Sequence, residues 1–540
     1  MFIKKLTKQV VCNLDEPVVS TPKGRLRGVQ VGEGFIFRGI KYADAARFEM
    51  PVPVEPWEGV KDAIMYGYAC PEISTGIPGD GYTVPHLFCP QHEDCQYLNI
   101  WTQSITPGVR KPVMVWLHGG GYATGSGVEH YAYDGEELSA YGDVVIVTLN
   151  HRLNVLGHLN LSAYGEAYKH SANLGIADIV AALEWVKENI ACFGGDPENV
   201  TIFGQSGGGG KVLTLMQMPA ADGLYHRAVV QSGVFAPGEA PVMRSLSQRL
   251  AELVLEELGT DAEGAKTVPY TVLAAAASRA GVRLNRETGM NFMWNPVPDG
   301  KYYVGYPSHV GFRRETLHVP LMLGTVFAEF TSTYSTPIGD CRKNEWSDET
   351  AEGYISERFG EFAPGMIAGF RSAYPGRRLA DLLYMDTFVR RGTADMAMQR
   401  AREGGNAWCY LFDLETPFKN GTLAWHNSEI PYVFHNAEYM EASFIPGVSE
   451  VLQDQMAGAW TCFAAAGDPG HAGLPAWPKA TAEACPTMIF DRESWLAVDH
   501  DRALLDAAPK VRSLASLFAK KKEEKKPEKP VHAPQGPQKK

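Results

Sequence analysis

The stretch FGQSGGGGKV, residues 203–212, sets one serine, Ser206, among five glycines. Glycine loses more backbone freedom on folding than any other residue, so such a run marks a place where chains must approach closely or turn sharply. The stretch follows VTIF, Val200–Phe203, a β-branched and aromatic run with strand character, and precedes KVLTLMQM, where apolar residues return at helical spacing. A G-x-S-x-G pattern between strand and helix is the nucleophile elbow, a turn that lifts a serine hydroxyl above the edge of a sheet. Gly204 and Gly208 relieve the crowding of that turn, and the following helix sets its positive dipole end beneath a developing negative charge. A glycine-rich turn carrying an incidental serine is the plain alternative. A phosphate-binding loop does not fit, because Gln205 stands where its first glycine belongs and Val212 where its Ser or Thr belongs.

The rest of the chain supplies a scaffold for such a turn. Val113–Leu117 and Asp143–Asn150 are continuous apolar runs suited to buried parallel strands. HRAVVQSG and VPLMLGTV read as further short buried strands. In ADIVAALEWVKENIACF the residues Ile179, Ala182, Leu183, Val186 and Ile190 recur at helical spacing, and GGDPENV ends that helix. Strands alternating with helices predict an α/β fold with a large, mostly parallel central sheet flanked by helices on both faces. No linker interrupts the pattern, so residues 1–519 are expected to form a single domain despite the length of 540 residues. The Lys- and Pro-rich segment 520–540 lacks the apolar surface to offset ordering and is expected to be disordered, either a solvated tail or a basic tether.

Composition narrows the partners. A net charge of −12 argues against nucleic acid, and no apolar run reaches the roughly 18 residues that a membrane span needs. The start, MFIKKLTKQVVCNLDEP, has no apolar core of a secretory signal, which leads to the expectation of a cytoplasmic protein with reduced thiols. Nine scattered cysteines, none in C-x-x-C spacing or beside paired histidines, suggest neither a disulfide framework nor a zinc site.

A lone serine is a weak nucleophile. It needs a base held by an acid, and donors for the oxyanion. HGGGY, His118–Tyr122, directly follows the strand ending at Leu117 and matches the HGGG-type loop whose backbone N–H groups point into such a site; a flexible turn is the alternative, against which both glycine motifs end a predicted core strand in the right order. The N–H of Gly207 adds a donor. In this fold order the acid and then the base follow the nucleophile, but with 15 histidines spacing alone does not choose among them.

The choice comes from a resemblance. TPKGRLRGV, FRGIKYADAARF, HEDCQYLNIW, VWLHGGGY, NLGIADIVAALEWVKENIACFGGDPENVTIFGQSGGGG, HRAVVQSG, VPLMLGTVFAEF, AWHNSEIPYVF and FAAAGDPGHAGLPAWP occur in one order from about Thr21 to Trp477. Together they resemble the type-B carboxylesterases, the cholinesterase-like branch of the α/β hydrolases. The resemblance implies Ser206 as nucleophile, Glu329 of GTVFAE as acid, His426 of HNSEIPYVF as base, and Gly120, Gly121 and Gly207 as oxyanion donors. His435 falls outside the matching pattern. The family usually has Glu before the serine and Ala after it, where this chain has Gln205 and Gly207. It often has Gln where this chain has Ile179. Secreted relatives pair cysteines at positions matching Cys70 and Cys95, so the resemblance leaves a bridge open here, with Cys89 as a competitor.

The expected chemistry is ester hydrolysis of a small-molecule substrate through an acyl-enzyme, with no metal or organic cofactor. Two alternatives remain at this point: a binding protein that keeps the fold, as in adhesion members of the family, and a hydrolase of amides or thioesters. Phe292, Met293 and Trp294 either line an apolar substrate site or belong to the core.

Overall fold

The structure, a computed structural model, describes residues 7–73, 86–235, 238–330 and 341–510. The Lys- and Pro-rich tail, 520–540, lies outside them.

A twelve-stranded sheet organises the chain. Its strands are β1 (Val10–Val11), β2 (Val29–Val31), β3 (Gly34–Lys41), β4 (Tyr97–Thr102), β5 (Lys111–Leu117), β6 (Val145–Leu149), β7 (Gly195–Gln205), β8 (Arg227–Gln231), β9 (Leu321–Val326), β10 (Ala407–Phe412), β11 (Pro486–Phe490) and β12 (Trp495–Val498). They lie side by side as β1-β2-β3-β4-β6-β5-β7-β8-β9-β10-β11-β12. From β6 to β11 every neighbour is parallel, and the antiparallel pairs are confined to the two flanks.

The continuous apolar runs are explained by burial on both faces. On β5, Val113, Val115 and Leu117 join one core, while Met114 and Trp116 join the other. The first core is closed by α1 (Leu174–Asn189) and α2 (Gly207–Met216), and the second by α3 (Ser449–Ala466), which contributes Met456, Trp460 and Phe463. This is the mostly parallel α/β architecture expected from the strand and helix pattern, and the α/β-hydrolase fold that the resemblance implies. Among the described residues no helix is long and apolar enough to cross a membrane.

Two element ends differ from the sequence reading. The helix expected to run through IACF stops at Asn189, whose side-chain amide donates to the Trp185 carbonyl at 2.8 Å. Ile190–Phe193 form a tighter 3₁₀ turn closed by Gly194 at φ 79°. Strand β7 begins at Gly195, well before Val200, because Gly195 already pairs with Lys111. Backbone pairing, invisible to side-chain periodicity, sets that boundary. Ile179 is fully buried in the core against the sheet, a position that suits its apolar side chain.

Candidate active site

The site is built at the carboxyl ends of the parallel strands, where open α/β sheets place their ligands. Strands β5 and β7 are immediate neighbours with Leu117 opposite Gly204. Their adjacency brings the loop after β5 alongside the turn after β7. Ser206 occupies that turn at φ 58° and ψ −125°, a strained conformation for a residue with a side chain. Its N–H donates to the Gln231 carbonyl at 2.8 Å and its carbonyl accepts from Gly210 N–H at 3.0 Å, so both neighbours hold the strain in place.

Close approach accounts for the glycines. A Cβ at Gly208 would lie 1.9 Å from the Leu117 carbonyl oxygen. A Cβ at Gly207 would lie 2.2 Å from the Gly121 carbonyl oxygen and 2.5 Å from its nitrogen. Gly207 is therefore the contact against which the HGGGY loop rests. Gly120 and Gly121 take φ of 81° and 64° to make that contact.

Glu329 lies three residues beyond β9 and is buried. One carboxylate oxygen accepts from Val326 N–H at 3.1 Å and the other meets His426 Nδ1 at 2.5 Å. The backbones are joined as well: His426 N–H donates to the Glu329 carbonyl at 2.8 Å, and Ala328 N–H to the Ala424 carbonyl at 2.8 Å. His426 Nε2 is buried and has no hydrogen-bond partner among the described residues. The Phe330 ring lies 4.1 Å from the imidazole, and Phe235 lies 6.4 Å from it.

A cavity of about 380 Å³ opens over Ser206. Gly120, Gly121 and Gly207 line it, and Tyr122, Phe235, Phe292, Trp294 and Phe330 form aromatic walls. Phe292 and Trp294 meet edge to face at 5.0 Å and pack on the helical core with their other surfaces. Phe292 and Trp294 are half-buried and both line the cavity and pack against that core, whereas Met293 lines the cavity and is exposed.

Other expected or competing residues separate clearly. His435 is engaged elsewhere, with Nε2 2.7 Å from Asp454 Oδ1 and its ring stacked on Tyr141. Cys70 and Cys95 are buried free thiols, and Cys89 is a half-buried free thiol. Gln205 is buried, and its Nε2 has no partner among the described residues.

Two ionisable residues had no role in the sequence reading. Lys211, one turn past Ser206, is fully buried, and its Nζ donates to the His118 carbonyl at 2.9 Å, just ahead of the three glycines. Burial lowers its pKa to about 7. Glu429 is also fully buried and accepts from Gln231 Nε2 at 3.3 Å; Gln231 in turn accepts from Trp460 Nε1 at 3.1 Å. Burial, and then the charge of Glu329, push the Glu429 carboxyl up to about 8, so it is neutral at pH 7. The HNSEIPYVF motif contained Glu429, but nothing in its spacing signalled a neutral acid.

Residues 15–502 match the family model described as the carboxylesterase family. The chain belongs to the carboxylesterase family. It is 33% identical over 496 residues to para-nitrobenzyl esterase of Bacillus subtilis (strain 168), covering 90% of this chain and 96% of that one. It is 29% identical over 499 residues to phenmedipham hydrolase of Pseudarthrobacter oxydans, covering 89% and 96%. Among solved structures it resembles an esterase from anaerobic Clostridium hathewayi described as able to hydrolyze aliphatic aromatic polyesters. That match has 44% identity and a TM-score of 0.86, and covers 93% of this chain and 99% of the other. This carboxylesterase is accordingly a carboxylic ester hydrolase.

Proposed function

We propose that the carboxylesterase cleaves esters by two-step acyl transfer with Ser206 as nucleophile, His426 as base and Glu329 as acid. The observation that carries this reading is the 2.5 Å contact between Glu329 and His426 Nδ1, which leaves the unpartnered Nε2 as the ring nitrogen available for the serine proton. Ser206 Oγ forms a bond to the ester carbonyl carbon while its proton passes to Nε2. The carbonyl oxygen takes up the negative charge, and the N–H groups of Gly120, Gly121 and Gly207 stabilise it. Collapse expels the alcohol, which takes the proton from the imidazolium. Water, deprotonated by the same nitrogen, then releases the acid. Glu329 holds the imidazole tautomer and stabilises its cation throughout.

The substrates proposed are esters of small molecules bearing an aromatic acyl or alcohol group. The aromatic walls of the cavity support that class, as does the activity stated for the Clostridium hathewayi esterase. Ser206→Ala is expected to lower kcat by about 10⁴-fold or more while the protein folds normally. A fluorophosphonate probe is expected to label wild type at Ser206, located by peptide mass spectrometry. Turnover near wild type in the variant, or labelling elsewhere, would overturn the assignment. Matched benzoate and acetate esters of p-nitrophenol test the aromatic preference, and matched thioesters and amides test the bond.

A further inference from the structure

His86, Glu129 and His130 come together, and none of the three lines the cavity over Ser206. His86 and His130 are opposite residues of an isolated antiparallel bridge, which sets their side chains on one face. Their rings lie 4.5 Å apart. Glu129 brings a carboxylate oxygen to 3.9 Å from His130 Nε2. One ligand atom from each of the three lies within 4.8 Å of the other two. Ligands held at 2.0–2.1 Å from a tetrahedral zinc ion stand roughly 3.4 Å apart, so modest rotamer changes close the cluster around a cation. His130 is held against Tyr133, with ring centroids 4.7 Å apart and planes nearly parallel, which orients one ligand in advance.

We propose that His86, Glu129 and His130 form a zinc site of two imidazoles and one carboxylate, with the fourth position left to water. Two nitrogen donors with a single carboxylate select a borderline transition-metal ion over magnesium or calcium, which require mostly oxygen. His130 is buried, while His86 and Glu129 are half-exposed, so the cation has both a desolvated anchor and a route from solvent. The site is structural. It pins the segment at His86 to the chain that leaves the HGGGY loop, where the Glu129 carboxylate lies close against Gly125. No step of ester hydrolysis passes through it. The 42 residues between His86 and Glu129 hide the grouping from any reading of local spacing.

The test uses the full chain stripped with EDTA and passed through a metal-free column. Isothermal titration with ZnCl₂ is expected to show one site, and the zinc-loaded protein to melt several degrees above the stripped form. His86→Ala and Glu129→Gln are each expected to weaken zinc binding at least tenfold and to abolish the melting shift. His86 sits at the half-exposed edge of the cluster, and a circular dichroism spectrum of His86→Ala matching wild type establishes that the variant folds. Titration with Co²⁺ provides a second readout, an absorption band of low-coordinate cobalt that vanishes in both variants. Failure of wild type to bind zinc, or binding and melting shifts unchanged in the two variants, would overturn the proposal.

Discussion

Lys211 and Glu429 show how far burial moves single residues from their solution chemistry. An ammonium at position 211 donates to the His118 carbonyl and is attracted by the charge of Glu129, but burial outweighs that attraction, so the folded state carries a burial cost. Its unfolded pKa is near 10.5 and its folded value about 7. Between those values the unfolded chain binds more protons, so this residue's contribution to stability rises with pH and its cost is greatest below pH 7. Lys211→Met is expected to exceed wild type in stability most at pH 6 to 7, with the gap shrinking toward pH 10, as read from urea melts across that range. Glu429 has the opposite sign. Its carboxyl titrates near 4.5 when unfolded and near 8 when folded. The native state binds more protons in that window, and stability falls as pH rises through it, each tenfold difference in proton affinity being worth at most about 1.4 kcal/mol. Glu429→Gln keeps the acceptor for Gln231 and removes the titration. Its melting temperature is expected to match wild type near pH 4.5 and to exceed it progressively up to pH 8. Parallel curves would show that Glu429 does not titrate in this window. Ser206, Glu329 and His426 could be picked out as candidates because the motifs around them resemble those of a family. Lys211 and Glu429 were not, because a lysine or glutamate letter carries no sign of the cavity that encloses it.

At the scale of elements, the turn after β7 and the loop after β5 behave as one unit. The family's usual alanine after the serine would, in this chain, drive a methyl group to 2.2 Å from the Gly121 carbonyl. The HGGGY loop therefore sits closer to the turn than an alanine allows. Gly207→Ala is expected to displace Gly121 and to lower kcat by about 10² to 10³, the cost of one oxyanion donor, with the melting temperature changed by only a few degrees. An unchanged kcat would show that the loop moves freely or that Gly121 donates nothing. The order of these two elements was readable from the glycine motifs that end two apolar runs. Their contact was not, because it depends on β5 and β7 being adjacent in the sheet. The ends of α1 and β7 escape prediction for a related reason: an amide on a carbonyl and a strand pairing, rather than side-chain periodicity, decide them.

Across the whole molecule, distant segments are tied by a buried ion pair. Arg152, just after β6, places Nη2 2.7 Å from Asp178 Oδ1 on α1, and its Nη1 donates to the Ala46 and Glu49 carbonyls. Asp178 also accepts from Arg152 N–H at 2.9 Å and from Gln96 at 3.2 Å. The charges are enclosed but fully bonded, so removing one partner strands the other. Asp178→Ala is expected to cost about 3 to 5 kcal/mol in denaturant unfolding, whereas the double variant Arg152→Met, Asp178→Leu recovers most of the loss. A single variant as stable as wild type would show that the pair holds nothing together. The linear order of apolar runs, glycine turns and family motifs was enough to specify a mostly parallel sheet, a serine at a strand-to-helix turn, and the candidates proposed as acid and base after it. The sheet and the turn rest on local steric and hydrophobic patterning, which a string of letters records, whereas the candidate acid and base rest on the resemblance to the family. Which strands are neighbours, how near Gly121 lies to Gly207, how Glu329 meets His426 across 97 residues, and which ionisable groups are enclosed were decided by tertiary packing, since each is a distance or a burial created only when remote segments share the same volume.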